Sequence, residues 1–178
     1  MKSTSMLKPK PIDYTALVEK LGRDFASRAE VADATDCFVE ENFAALKANG
    51  LIEAGVPAEL GGGGATLPEL CDMLRMLAHH CGSTALAFAM HTHQVAIPAW
   101  RWTHQKVTAV EPLLKRVAAE RIILLSSGGS DWVAGSGKAE RVDGGYKITA
   151  RKIFTSASPV GTARGLRVGG PYTITITK

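Results

Sequence analysis

The sequence predicts an α+β protein, in which an N-terminal α-helical domain is followed by a β-sheet domain. Between residues 12 and 120 the apolar residues recur at the three-to-four-residue spacing of helices. After residue 121 the pattern becomes extended, and a Val-Asp-Gly-Gly turn at 142–145 indicates a hairpin. We therefore divide the chain into a flexible N-terminus (1–11), a helical domain (12–120) and a partial β domain (121–178).

Two helices are predicted at the start of the helical domain. The first covers about 12–28 and the second about 33–49, where Asn49-Gly50 is a typical C-terminal stop. The apolar stripe of the second helix consists of Phe38, Val39, Phe43 and Leu46. Both helices are expected to turn their apolar stripes toward a common core.

The segment 51–65 is predicted to be a structural loop. Pro57 and four successive glycines at 61–64 exclude a continuous helix. The segment also lacks the Lys-Ser or Lys-Thr pair and the preceding strand that a phosphate-binding loop of the Walker type requires.

Three further helices complete the predicted helical domain. One begins near Pro68 and ends before Gly82. The next covers about 85–96, and its nearly continuous apolar sequence predicts a helix buried on all sides, capped by Ser83 or Thr84. The last covers about 105–120 and delivers the chain to the β domain, with the boundary near Glu120 and Arg121.

The residues that suggest chemistry lie between 126 and 158. The front of this stretch, 126–131, gathers hydroxyls and glycines in a sharp turn whose backbone N–H groups could face a phosphate or pyrophosphate. Its back, 146–156, alternates apolar and polar residues as a strand of a hairpin does. A plain solvent-exposed turn is the alternative interpretation of the glycines and serines.

Three motifs of this stretch resemble the start of the middle domain of the acyl-CoA dehydrogenase family of flavoproteins. They are Gly129-Ser130-Asp131, the Asp-Gly-Gly-Tyr turn, and Lys152-Ile153-Phe154-Thr155-Ser156. The resemblance covers about residues 12–159 and is weak in the first helices. It implies a helical N-terminal domain, a middle β domain that contacts FAD, and a C-terminal four-helix bundle. It also implies oxidation of an acyl-CoA thioester, with a carboxylate base taking the α-proton and the flavin taking the β-hydride.

The same resemblance implies a cofactor site. Gly129 and Ser130 match a Gly-Ser pair that touches the flavin diphosphate or the acyl-CoA. Phe154 stands where the family usually has a Trp beside the isoalloxazine, and Ser156 matches a Thr or Ser that hydrogen-bonds to the ring system. Ser126 is the counterpart of the Thr before the family's Glu-Pro, which this chain lacks. Without a flavin, these residues are a core aromatic and ordinary turn hydroxyls.

The resemblance fails over 162–178, although 172–178 alternates like a strand. The bundle that supplies the family's catalytic base finds no match in these residues, so we expect a truncated or frame-shifted form with impaired or no turnover and assign no catalytic residue. Two alternatives stay open. One is a flavin-dependent monooxygenase on the same fold, favoured by the lost Glu-Pro; the other is a non-catalytic helical module for oligomerisation or partner binding.

The amino-acid composition and the charge indicate which classes of partner to expect. The content of 46% hydrophobic and 21% charged residues is that of a globular protein. No apolar run is long enough to span a bilayer and no signal peptide is evident, so we expect a cytoplasmic protein without a membrane partner. The net charge of +4 is scattered, so nucleic acid is not expected. The expected partner is an acyl-CoA-type small molecule; the full-length family implies a homo-oligomer, and the state of this chain stays open.

Histidines and cysteines do not suggest a metal site or a disulfide framework. Neither His79 and His80 nor His91 and His93 share a helix face as an i, i+4 pair would, so core or surface histidines are expected. The three cysteines have no CxxC spacing and are expected to be buried free thiols.

Overall fold

The computed structural model describes residues 12–126, 133, 137–143, 145–150, 155–161 and 172–177. The helices are α1 (Tyr14–Thr35), α2 (Glu40–Ala48), α3 (Leu67–His80), α4 (Gly82–Gln105) and α5 (Glu111–Glu120), with 3-10 turns at Ala58–Leu60 and Thr108–Val110. The strands are β1 (Lys138–Val142), β2 (Gly145–Ala150) and β3 (Tyr172–Thr177). The α+β class predicted from the sequence is confirmed.

The boundaries of the first two helices differ from the prediction in part. Helix α1 begins at Tyr14 and is capped by Asp13, whose side chain accepts a hydrogen bond from the Ala16 N–H at 2.9 Å. It continues to Thr35 and is followed by Asp36 in the left-handed conformation (φ 52°). The predicted start of the second helix at residue 33 is therefore wrong, because those residues extend α1. Its predicted stop is confirmed, since α2 has Asn49 as its C-cap and Gly50 has a φ of 74°.

The loop between α2 and α3 belongs to the core, as expected for a structural loop. Leu51, Ile52 and Val56 are at most 1% exposed. The loop folds back on itself so closely that a Cβ added to Gly62 would lie 2.3 Å from the Val56 carbonyl oxygen. Glycine at this position is thus required by close backbone approach.

Helix α4 is buried on one side only. Its inner face carries Phe88 and Val95, which are at most 1% exposed. Its outer face leaves Leu86 66%, Ile97 50% and Trp100 53% exposed. The prediction of a fully buried helix is wrong because the outer face, though apolar, has no neighbouring element among the described residues to cover it.

The ends of α4 and α5 also differ from the prediction. Helix α4 runs through Pro98 to Gln105 and does not end at 96. Helix α5 consequently begins at Glu111, with proline in its first turn, and not at 105.

The helical core forms where α3 packs between α1 and α4, while α5 packs against the Ala58–Leu60 turn and α4. The strands form an antiparallel sheet in the order β1-β2-β3, with Glu140 opposite Lys147 and Ile148 opposite Ile174. Helix α5 ends at Glu120, next to the predicted domain boundary. Residues 121–126 that follow belong to neither a helix nor a strand.

Candidate functional site

The segment 121–126 leads from the helical core to the first predicted site residue. Arg121 stands in the left-handed conformation (φ 50°) and ends α5. Its Nε donates to Glu53 Oε1 at 2.9 Å and its Nη1 donates to the Lys47 carbonyl at 3.2 Å. Ile122 and Ile123 are each 5% exposed, and Ser126 is 4% exposed. The chain therefore enters the candidate site through a backbone that is anchored to the α2–α3 loop and buried.

His91 of α4 holds the middle of this segment. Its imidazole is 1% exposed and lies between the Ile52 carbonyl oxygen, 2.9 Å from Nε2, and the Leu124 N–H, whose nitrogen is 2.9 Å from Nδ1. Burial lowers the pKa of His91 to about 4, against the opposing effect of the Ile52 hydrogen bond. At neutral pH the imidazole is therefore uncharged.

The segment 155–161 forms the other described part of the candidate site. It is a tight turn in which Ser158 N–H donates to the Thr155 carbonyl and Val160 N–H donates to the Ala157 carbonyl. Ala157 is 4% exposed and adopts the left-handed conformation (φ 62°), which is strained for a residue with a Cβ. The Thr155 hydroxyl oxygen is buried and has no hydrogen-bond partner within the described structure.

The two segments touch each other. A Cβ added to Gly161 would lie 2.5 Å from the Leu125 side chain, so these residues are in direct contact. Ile122, Ile123 and Ala157 belong to the same buried core. The fold thus brings together two parts of the chain that lie some thirty residues apart in sequence, one carrying Ser126 and the other carrying Ser156.

The structure describes two of the five residues of the predicted site. Ser126 is buried and Ser156 is half-buried, each on one of the two touching segments. Gly129, Ser130 and Phe154 lie outside the described residues. The assignment of these five residues to a cofactor stays a prediction.

Two residues of this region were missed by the sequence analysis as members of the site. Thr155 stands inside the Lys-Ile-Phe-Thr-Ser motif, but pattern alone does not indicate that its hydroxyl is left without a partner. His91 was expected to be a core or surface histidine; it is a core one, but its two contacts with distant backbone depend on tertiary structure.

A shallow pocket at the N-terminus of α1 is a weaker candidate. It is lined by Ile12, Asp13, Tyr14, Thr15, Glu69 and Asp72. Asp13, Glu69 and Asp72 already accept hydrogen bonds from neighbouring residues. The buried Tyr14 hydroxyl has no partner in the described residues, and its pKa is raised by burial and by the Glu69 and Glu53 carboxylates. A neutral phenol beside occupied carboxylates offers no reactive group.

Cysteine burial differs from the prediction. Cys81 is buried, but Cys37 and Cys71 are exposed, because they lie on solvent-facing positions after α1 and within α3. Across the part of the chain that the structure describes, no cluster of three or more His, Cys, Asp or Glu side chains is arranged to hold a metal ion. Nor does any helix of that part combine the length and apolarity needed to cross a membrane.

Comparison with known proteins identifies the family. The profile described as "Acyl-CoA dehydrogenase, N-terminal domain" matches residues 15–116, which is more than half of the chain. The chain belongs to the acyl-CoA dehydrogenase family. The resemblance seen in the sequence is thereby confirmed, and the matched residues run from α1 into α5.

Curated relatives of this family member differ in the reactions that they catalyse. L-evernosamine nitrososynthase from Micromonospora sp. is 32% identical over 147 residues, which are 77% of this chain and 34% of the relative. The mitochondrial isovaleryl-CoA dehydrogenase of Solanum tuberosum is 30% identical over 143 residues, which are 76% of this chain and 34% of that protein. The chain spans about a third of the length of these relatives.

Solved structures of the family share the fold. The crystal structure of nitrososynthase from Micromonospora carbonacea var. africana has a TM-score of 0.71 at 26% identity, covering 87% of this chain and 40% of that one. KijD3 in complex with FMN and dTDP-3-amino-2,3,6-trideoxy-4-keto-3-methyl-D-glucose has a TM-score of 0.70 at 27% identity, covering 90% and 42%. The expected flavin cofactor is confirmed at the level of the family, which consists of flavin-dependent oxidoreductases.

Proposed function

We propose that this family member binds a flavin between the segments 121–126 and 155–161 and serves flavin-dependent oxygenation of a small molecule. Oxygenation is the alternative that the missing Glu-Pro favoured at the sequence level. It is supported by the relatives, since one is an L-evernosamine nitrososynthase and another is a pigment production hydroxylase from Rhodococcus sp.. Dehydrogenation of an acyl-CoA is the second candidate, supported by the similarity to isovaleryl-CoA dehydrogenase.

The observation that carries the flavin proposal is the Thr155 hydroxyl. Leaving a buried hydroxyl without a partner costs about 1–3 kcal/mol, so the Thr155 hydroxyl, which has no partner among the described residues, is a candidate contact for a bound molecule. The neighbouring Ala157 holds a strained left-handed backbone. Orphaned polar atoms and backbone strain occur together at binding sites. The donor and acceptor capacity of a hydroxyl fits the polar edge of an isoalloxazine or its ribityl chain.

Each described residue has a definite role in this proposal. When bound, the flavin would supply electron transfer to oxygen, the chemistry that the protein itself cannot perform. Thr155 and Ser156 would offer hydroxyls to the cofactor from the 155–161 turn, and Ser126 would offer one from the other segment. The contact between Leu125 and Gly161 holds the two sets of hydroxyls at a fixed spacing and keeps water from the apolar side of the site.

Flavin titration tests the binding proposal. FMN and FAD are added separately to the 178-residue chain and to its variants Thr155→Val, Ser126→Ala and Ser156→Ala, and binding is followed by flavin fluorescence. Loss of one hydroxyl contact is expected to weaken binding about 2–13-fold. Thr155→Val should do so without loss of stability, because the methyl group replaces a hydroxyl that has no partner among the described residues. Ser27→Ala, which removes an exposed α1 hydroxyl, is the matched control.

The outcomes separate the binding proposal from its alternatives. A wild-type chain that binds neither flavin overturns it. Equal affinities in the wild type and all three site variants remove these hydroxyls from the site. The two reaction classes are compared by calorimetric titration of the flavin-loaded chain with isovaleryl-CoA and with a dTDP-amino sugar. Preference for the sugar nucleotide supports oxygenation, and preference for the thioester supports dehydrogenation.

A further inference from the structure

The imidazole of His91 connects three parts of the fold that are far apart in sequence. It projects from α4, and its contacts reach Ile52 in the α2–α3 loop and Leu124 in the segment that leads to Ser126. Its ring stacks on Phe88 with 5.5 Å between ring centroids and 18° between ring planes. With 1% of the residue exposed, the ring has no room to rotate into solvent.

These contacts determine which nitrogen carries the proton. The Leu124 N–H can only donate, so Nδ1 must present its lone pair. The Ile52 carbonyl can only accept, so Nε2 must carry the hydrogen. A doubly protonated ring would set an N–H group against the Leu124 N–H. Only the neutral tautomer with hydrogen on Nε2 satisfies both neighbours.

We propose that His91 is a positioning residue, whose neutral Nε2–H tautomer fixes the Leu124 backbone and thereby sets the place of Ser126 beside the 155–161 turn. Leu124 is two residues before Ser126, and Leu125 between them contacts Gly161. The link from position to flavin affinity rests on the proposed function; the link from His91 to the backbone of 122–126 does not.

A mostly apolar core holds the polar His91 ring because the ring bonds to two backbone groups there. The hydrogen bond of the Leu124 N–H is the one to the imidazole. A phenyl ring of similar size would keep the stacking on Phe88 but leave the Leu124 N–H and the Ile52 carbonyl without these partners. The Leu124 backbone would then lose its connection to α4.

Three variants separate the two contacts. His91→Asn retains an acceptor near the position of Nδ1, His91→Gln retains a donor near the position of Nε2, and His91→Phe removes both. Thr92→Val is the matched control, because Thr92 is the next residue of α4, is also buried, and bonds only within its own helix. Amide hydrogen exchange at Leu124 is measured by NMR, with the Phe25 amide in the core of α1 reporting global opening.

The expected pattern is specific to a positioning role. In His91→Phe, Leu124 exchange should accelerate about tenfold or more relative to Phe25, and flavin should bind about 2–13-fold more weakly. His91→Asn should protect Leu124 better than His91→Gln does, whereas Thr92→Val should leave both readouts as in the wild type. Unchanged Leu124 exchange in His91→Phe overturns the proposal.

The wild type provides a test that no folding defect can obscure. The nitrogen chemical shifts of His91 should identify an unprotonated Nδ1 and a protonated Nε2 at neutral pH; the opposite tautomer or a charged ring overturns the proposal. Failure of the proposed function can be distinguished from failure of the proposal for His91. If the wild type binds neither FMN nor FAD, the flavin site is lost, while the tautomer and Leu124 exchange still decide the role of His91.

Discussion

At the scale of single residues, buried polar side chains link the helices in a way that no sequence pattern predicts. Arg28 of α1 donates through Nε and Nη2 to Asn42 Oδ1, at 2.9 and 2.7 Å. Asn42 Nδ2 then donates to Thr84 Oγ1, and the Thr84 hydroxyl shares a hydrogen bond with Cys81 Sγ at 3.0 Å, in which either group can donate. Helical periodicity marks these positions only as polar, because the pairing depends on how α1, α2 and α4 meet.

The role of His91 was also only partly predictable from the sequence. The sequence predicted only that His91 is either a core or a surface histidine. Its tautomer and its two backbone partners could not be predicted, since Ile52 and Leu124 are distant in sequence.

Stability should depend on pH through His91. Its pKa is lowered from 6.5 to about 4 in the folded chain, so between these values the unfolded state binds more protons than the folded state. The stabilisation is fully present above pH 6.5 and is lost progressively as pH falls toward 4, by at most about 1.4 kcal/mol per pH unit. Urea unfolding at several pH values should show a shallower decline in His91→Asn than in the wild type. Equal slopes in the two proteins would contradict the lowered pKa.

At the scale of elements, the start and end signals of helices were predicted better than their lengths. The Asn49-Gly50 stop and the proline in the first turn of α3 act locally and appear where expected. The extension of α1 to Thr35 and of α4 through Pro98 was missed. Ala32 of the first extension packs against the core and Ala99 of the second belongs to it, and such tertiary contacts outweigh weak local preferences.

The contact between α1 and α3 depends on a glycine. A Cβ added to Gly22 would lie 2.2 Å from the His80 ring, which also places its Nε2 3.2 Å from Glu19 Oε2. Gly22→Ala should therefore destabilise the wild type, because the ring must leave its place. In a His80→Ala background the same change should stabilise by about 1 kcal/mol, the usual gain from replacing glycine inside a helix.

A double-mutant cycle measured by urea unfolding tests this reversal of sign. Gly82→Ala is the control, because a Cβ at Gly82 meets nothing within 4 Å. If Gly22→Ala had the same effect with and without the His80 ring, the ring would not be the cause.

At the scale of the whole molecule, the end of the helical domain was visible in the sequence, but the contact between the two segments of the candidate site was not. Helix α5 ends at Glu120, where the apolar period changes, because that signal is local. The contact of Leu125 with Gly161 and the orphaned Thr155 hydroxyl arise only when the two segments meet. The family motifs predicted the site residues, while the way the segments carrying Ser126 and Ser156 meet required the folded chain.

The outer face of α4 carries exposed apolar side chains, and it bears on the alternative of an oligomerisation module. No Asp, Glu, Lys or Arg stands between Gly82 and Trp100. Leu86, Ile97 and Trp100 are each at least half exposed on this face. Exposed apolar side chains on one helix face favour association with other apolar surface.

We expect the 178-residue chain to self-associate through this face and the double variant Ile97→Gln, Trp100→Gln to do so far less. Removing two apolar side chains, each contributing about 1.5 kcal/mol or more when buried, should lower the association constant about a hundredfold. The free energy of unfolding should change by only about 0.5 kcal/mol, because both side chains are already exposed in the single chain.

Sedimentation velocity over a range of concentrations measures the association, with Val31→Gln as the control because Val31 is 65% exposed on α1, away from this face. If Val31→Gln reduced association as much as the double variant, non-specific hydrophobicity and not the α4 face would hold the copies together; a wild type that stayed monomeric at every concentration would exclude the oligomerisation module altogether.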